Sequence, residues 1–137
     1  MNNLPKSWKR GFDAARAASV HSNGPMPGQK LGAALYAGST LLSTGFNQWN
    51  KTHPNSKFKN YHGNTHAEVM SIIRRWHYNK SNNLILYVSR AITNPERTYI
   101  KDACSRPCHR CMQFIKKNGI RKIRFYNEFG NAVEVKV

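Results

Sequence analysis

Acidic side chains are scarce. Against 22 Lys and Arg the chain carries 6 Asp and Glu, a formal +16 in 137 residues. An imbalance of that size bears on partners and solubility rather than on fold. Long apolar runs and basic amphipathic helices are also missing, which argues against a membrane and leaves a polyanion such as nucleic acid as the expected partner. The bland alternative is a soluble basic protein with no polyanionic partner. Cysteine is sparse too: three residues cannot form a complete disulfide set, which fits a reducing compartment with thiolates available to metal. Met1 to Lys6 contains charge but no apolar stretch, so no secretory signal is expected and a cytoplasmic location is. Internal repeats and low-complexity tracts are absent.

What is present is enough for a core. Hydrophobic residues make up 39% and aromatics 11%, a globular composition. The length suits a single domain over residues 1–137.

Ser7 is placed to cap a helix through Trp8, Phe12, Ala15 and Val20, ended by Asn23-Gly24-Pro25. Lys30 to Tyr36 and Leu41 to Phe46 read as two strands joined around Gly38-Ser39-Thr40. Neither alternates strictly, as expected of strands covered by helices on both faces. Asn47 to Asn64 is a long loop rich in Asn, and a loop of that length is a functional candidate. Its Lys51, Lys57 and Lys59 are interleaved with Trp49, His53, Phe58, Tyr61 and His62. A helix is expected from His66 through Val69, Ile72, Ile73 and Trp76. Leu84 to Val88 is a buried strand, and Thr93 to Ala103 a loop or short hairpin. Pro107 suits the first turn of a third helix with Met112, Phe114 and Ile115 inward, stopped at Asn118-Gly119. Ile120 to Tyr126 and Ala132 to Val137 alternate as strands of a C-terminal β-hairpin turned at Asn127 to Gly130. The order predicts a three-layer α/β/α domain with a mixed sheet of about five strands.

Two short motifs carry chemistry. Thr65-His66-Ala67-Glu68 and Arg106-Pro107-Cys108-His109-Arg110-Cys111 supply a histidine, a glutamate two residues later and a Pro-Cys-x-x-Cys. In that order they are the parts of a zinc site that activates water against a nucleobase amino group. Cys108 and Cys111, three apart, present both sulfurs to one side of a helix. With His66 they make three ligands and leave a fourth position for water. His66 and Glu68 converge only if the metal lies beyond a helix start, where Glu68 can shuttle protons.

Each motif has a rival reading. Thr65 and Glu68 fit a capping box, in which Glu68 bonds the Thr65 backbone. Cys108 and Cys111 fit a redox pair, though no thioredoxin-type strand and turn precedes them, or half of a structural zinc site, though no second pair exists. His53, His62 and His109 are further potential ligands that a basic surface would simply solvate. Cys104 reads as a buried or spectator thiol.

The joint pattern resembles the zinc-dependent cytidine and deoxycytidylate deaminase superfamily, from about Leu31 to Tyr126. The resemblance implies a cytidine-deaminase-like fold, zinc (Zn2+) ligands His66, Cys108 and Cys111, and Glu68 as catalytic proton shuttle. Gly45-Phe46-Asn47 looks like the family's Gly-x-Asn, which implies that Asn47 binds the sugar. The hairpin end resembles the branch typified by small cytidine deaminases. The stretch between the zinc motifs is longer than that family usually needs.

The leading substrate expectation is cytosine in single-stranded nucleic acid, DNA favoured, because lysines interleaved with stacking aromatics suit single strands. Trp49, Lys51, His53 and Tyr61 are the loop candidates for substrate contact, and Arg106 and Arg110 the candidates for phosphate. A free cytidine or dCMP deaminase is the alternative. A tRNA adenosine deaminase and a non-catalytic basic nucleic-acid-binding zinc protein remain further readings. No surface singles out an oligomeric state.

Overall fold

The computed structural model describes residues 4–22, 30–48, 66–75, 83–93, 99–100 and 104–137. Among these, three helices and six strands follow one another: α1 (Lys6–Ser19), β1 (Lys30–Ala37), β2 (Thr40–Phe46), α2 (Ala67–Arg74), β3 (Leu84–Thr93), β4 (Tyr99–Ile100), α3 (His109–Lys117), β5 (Lys122–Tyr126) and β6 (Ala132–Lys136). The main sheet runs β2-β1-β3-β5-β6, and the short β4 pairs with β3 off this path. Only the β3–β5 pairing is parallel, so the sheet is mixed as expected.

Helices cover both faces. Ala34, Tyr36, Ile85 and Tyr87 point to one side, where Phe12 and Ala15 of α1 close the layer. Ala33, Leu35, Leu84, Leu86 and Val88 point to the other, against Val69 and Ile72 of α2 and Phe114 and Ile115 of α3. Strand side chains alternate between faces, and here each face meets a helix, so the central strands are apolar throughout.

Gly45 is required by close approach. A Cβ there would overlap the Ala67 carbonyl oxygen and lie 2.5 Å from the Ser71 nitrogen, so the first turn of α2 rests directly on β2. Ser43 reinforces that seat by donating its hydroxyl to the Ser71 carbonyl at 2.5 Å.

Some expected boundaries shift. Pro5, not Ser7, stands at the N-cap of α1, and Val20 is the exposed C-cap. Ser7 lies one residue inside, because proline's fixed φ already sets the entry and needs no hydroxyl. Pro107 precedes α3 rather than opening it, since Cys108 takes the N-cap. Thr93 ends β3, which is longer than Leu84 to Val88 and forms a hairpin with β4. Trp76 lies outside the described residues. The C-terminal hairpin forms as expected, with Gly130 at φ 78 and the Asn127 side chain accepting from the Phe129 and Asn131 N–H groups at 2.9 and 3.0 Å.

Candidate metal centre and its cavity

Two helix starts build the centre. His66 is the N-cap of α2 and Cys108 the N-cap of α3, both with extended backbone and neither with a side-chain cap bond. Cys111 lies in the first turn of α3 and is fully buried. An N-terminus leaves backbone N–H groups unpaired and directed outward, and the helix dipole adds positive potential there. That potential favours thiolates over thiols.

The three side chains meet. The ligand atoms of His66, Cys108 and Cys111 all lie within 4.8 Å of one another. Cys111 Sγ is 3.3 Å and Cys108 Sγ 3.9 Å from His66 Nδ1. Zinc at ordinary bond lengths with a tetrahedral angle would set a nitrogen–sulfur edge of about 3.6 Å, between those two distances. The donor set, one imidazole and two thiolates, also suits zinc and leaves a fourth position open. These residues therefore fit the ion.

Glu68 is the buried carboxyl beside them. With His66 at the N-cap it occupies the second helical position, so the capping box that pairs an N-cap Thr with a third-position Glu is not formed here. It is 4% exposed. Burial pushes its carboxyl above the usual carboxylate range, against the opposing pull of its own backbone N–H and of His66. For His66, burial works against protonation, but the Cys108 hydrogen bond and the charges of Glu68 and Cys108 outweigh it and raise its pKa. The carboxyl thus sits in the environment that prepares a general acid and base.

A cavity of about 220 Å³ opens over the centre, lined by Leu31, Asn47, His66, Ala67, Glu68, Arg106 and Cys108. Asn47 is held on its backbone and side chain alike. Its N–H donates to the Leu31 carbonyl at 3.2 Å, and its Oδ1 accepts from the Leu31 N–H at 2.9 Å, which orients the amide. Arg106 rests its guanidinium 4.9 Å from the Phe125 ring centroid and 3.6 Å from the Glu128 carboxylate. Arg110 is exposed on the first turn of α3 and is not among the cavity-lining residues. Trp49, Lys51, His53 and Tyr61 fall outside the described residues, as do Lys57, Phe58, Lys59, His62 and Thr65.

Ser105 is the site residue that sequence reasoning missed. It is buried, donates its hydroxyl to the Val88 carbonyl at 2.7 Å and accepts from the Tyr126 N–H at 3.0 Å. Its own N–H donates to the Tyr126 carbonyl at 2.8 Å. These bonds tie the irregular segment 104–108 to β3 and β5, and so position Arg106 and Cys108 at the cavity. A lone serine before Arg-Pro-Cys gives no sequence signal, because its partners are 17 and 21 residues away.

Fold and donor set together define an α/β protein built around a zinc centre. The model of the cytidine and deoxycytidylate deaminase zinc-binding region matches residues 6–127, and the chain belongs to that family of zinc-dependent deaminases. Among solved structures it is similar in fold to the cytidine deaminase of Burkholderia pseudomallei, with a TM-score of 0.63 and 16% identity over 99% of this chain and 93% of that one. The cytidine deaminase of Mycobacterium leprae aligns with a TM-score of 0.58 and 19% identity over 93% and 92% of the two chains. The dCMP deaminase of cyanophage S-TIM5 aligns with a TM-score of 0.58 and 20% identity over 88% and 82%. No curated protein matches the chain significantly.

Proposed function

We propose that this chain hydrolyses cytosine to uracil and ammonia, and that it takes its cytosine from single-stranded nucleic acid, with DNA favoured. The observation that carries the deaminase reading is the buried Glu68 carboxyl sharing one cavity with the three-ligand cluster. Zinc held by His66, Cys108 and Cys111 would supply an acidified water as nucleophile at the fourth position. Glu68 would take one proton from the attacking water and pass it to the ring nitrogen, then take the remaining hydroxyl proton of the tetrahedral adduct and pass it to the amine, which leaves as ammonia. Burial raises its pKa above the ordinary carboxylate value, the direction that suits a group which takes up and returns a proton. Asn47, fixed through Leu31, borders the cavity where the sugar of the substrate would lie.

The polynucleotide part of the reading rests on the formal +16 charge. A single phosphate needs one or two cations, and counterion release from a strand rewards many. A second reading, a free cytidine or dCMP deaminase, is supported by the named activities of the similar structures and by the hairpin end of the sheet.

One assay separates the two. Zinc-loaded protein is incubated with a cytosine-containing single strand, the same sequence as duplex, cytidine and dCMP, and uracil is quantified by mass spectrometry. Uracil formed preferentially in the single strand supports the first reading, and activity confined to the free compounds replaces it with the second.

A further inference from the structure

Among the described residues, Arg106 is the one arginine that lines the cavity over the metal centre. Its guanidinium lies on the ring of Phe125, a fully buried side chain that cannot move away, while the arginine itself remains about half exposed. The Ser105 bonds fix the backbone immediately before it, and Pro107 restricts the backbone immediately after it. Arg106 is therefore a positioned cation at a cavity mouth rather than a loose surface charge. Among the described residues its carboxylate neighbour is Glu128, in the turn between β5 and β6, at 3.6 Å with both side chains more than half exposed. An exposed pair of that length is weak and opens readily.

We propose that Arg106 is the phosphate-reading residue of this site, and that Glu128 is a stand-in anion which a substrate phosphate displaces. The inference rests on the cytosine deaminase reading and adds that the preferred substrate bears a phosphate on the sugar of the reacting nucleotide. A guanidinium offers a planar fork of N–H donors that matches two phosphate oxygens, which a single carboxylate oxygen at 3.6 Å does not. The phosphate is either the monoester of a free nucleotide or a diester in a strand, since both present the same two oxygens. Arg110, on the exposed first turn of α3 outside the cavity lining, takes no part in this contact.

The test uses deoxycytidine, dCMP and a short single strand with one cytosine, a series that differs in phosphate alone at the reacting nucleotide. Zinc-loaded wild type, Arg106→Gln and Glu128→Gln are compared by kcat/KM, with Arg10→Gln, a surface charge on α1 across the sheet, as control. Arg106→Gln keeps an aliphatic stem over Phe125, and zinc content verifies that Cys108 stays in place. Dissociation constants are measured in parallel in the Glu68→Ala background, where substrate is not consumed.

Arg106→Gln is expected to lower the preference for dCMP over deoxycytidine by about ten- to a hundred-fold, the range for one charge-assisted hydrogen-bonded contact. Glu128→Gln is expected to raise it a few-fold, and Arg10→Gln to leave it unchanged. A matching loss on the strand assigns the contact to a diester, and a loss on dCMP alone assigns it to a monoester. Equal losses on deoxycytidine and dCMP would overturn the proposal and make Arg106 a support for Cys108 instead. If no compound is deaminated, the deaminase reading fails, and the Arg106 dependence of dCMP binding still decides the phosphate proposal.

Discussion

The proposed chemistry turns on Glu68. Its carboxyl is buried, so the folded metal-free protein keeps it protonated at pH values where the unfolded chain has lost that proton. The folded state then binds more protons, and its stability falls as pH rises from the ordinary carboxylate value through the raised one. Glu68→Gln removes that cost. The expected outcome is a metal-free variant whose urea midpoint is at least that of wild type at pH 7 and converges with it toward pH 4. Turnover by the same variant should drop by about 10²- to 10⁴-fold with zinc still bound stoichiometrically. His66 shifts in the same direction: its raised pKa means that protons compete with metal at a higher pH than for an ordinary imidazole. Zinc affinity measured by chelator competition should therefore weaken steeply from pH 8 to pH 6, with protons released on binding. Ser105 supplies the supporting bonds. Ser105→Ala leaves the buried Tyr126 N–H without its hydroxyl acceptor, which should cost about 1–3 kcal/mol in chemical denaturation and lower zinc affinity through Cys108.

At the scale of elements, the centre exists because two helix starts are held at one height above the sheet. Gly45 permits that height for α2, and Gly45→Ala is expected to cost about 1–3 kcal/mol of stability through overpacking, with reduced zinc occupancy as α2 is lifted from β2. Thermal unfolding with and without zinc reads both effects. The same scale shows what sequence reasoning reaches. Leu84 to Val88 and the hairpins around Gly38 and Gly130 were legible from local pattern, since turn residues and apolar runs act over short distances. The three ligands were legible because few chemistries need a histidine, a glutamate and a Pro-Cys-x-x-Cys in that order. The helix start at His66 was legible as well, because His66 and Glu68 converge on one ion only if the metal lies beyond that start, which sets aside the rival capping box of Thr65 and Glu68. Ser105 was not legible, its partners being brought together only by the sheet order β3-β5.

For the whole molecule the feature on which the proposed substrate rests is the formal +16 charge, which a strand of phosphates would engage through counterion release. Binding of a single-stranded oligonucleotide to the Glu68→Ala protein is expected to weaken steeply and linearly in a log–log plot against salt, and a flat dependence would exclude the basic surface from binding. Among the described residues no helix is long and apolar enough to cross a membrane. The fold shared with cytidine and dCMP deaminases covers 82–99% of the chains compared, and identity of 16–20% shows the fold without fixing the substrate. The most direct test of the account is uracil formation by zinc-loaded wild type beside zinc-loaded Glu68→Gln, over the panel of single strand, duplex, cytidine and dCMP. Uracil from at least one cytosine substrate with wild type, and its near-complete loss in the variant at equal zinc content, is the predicted result. Equal uracil from both proteins, or none from wild type with zinc fully bound, would contradict it.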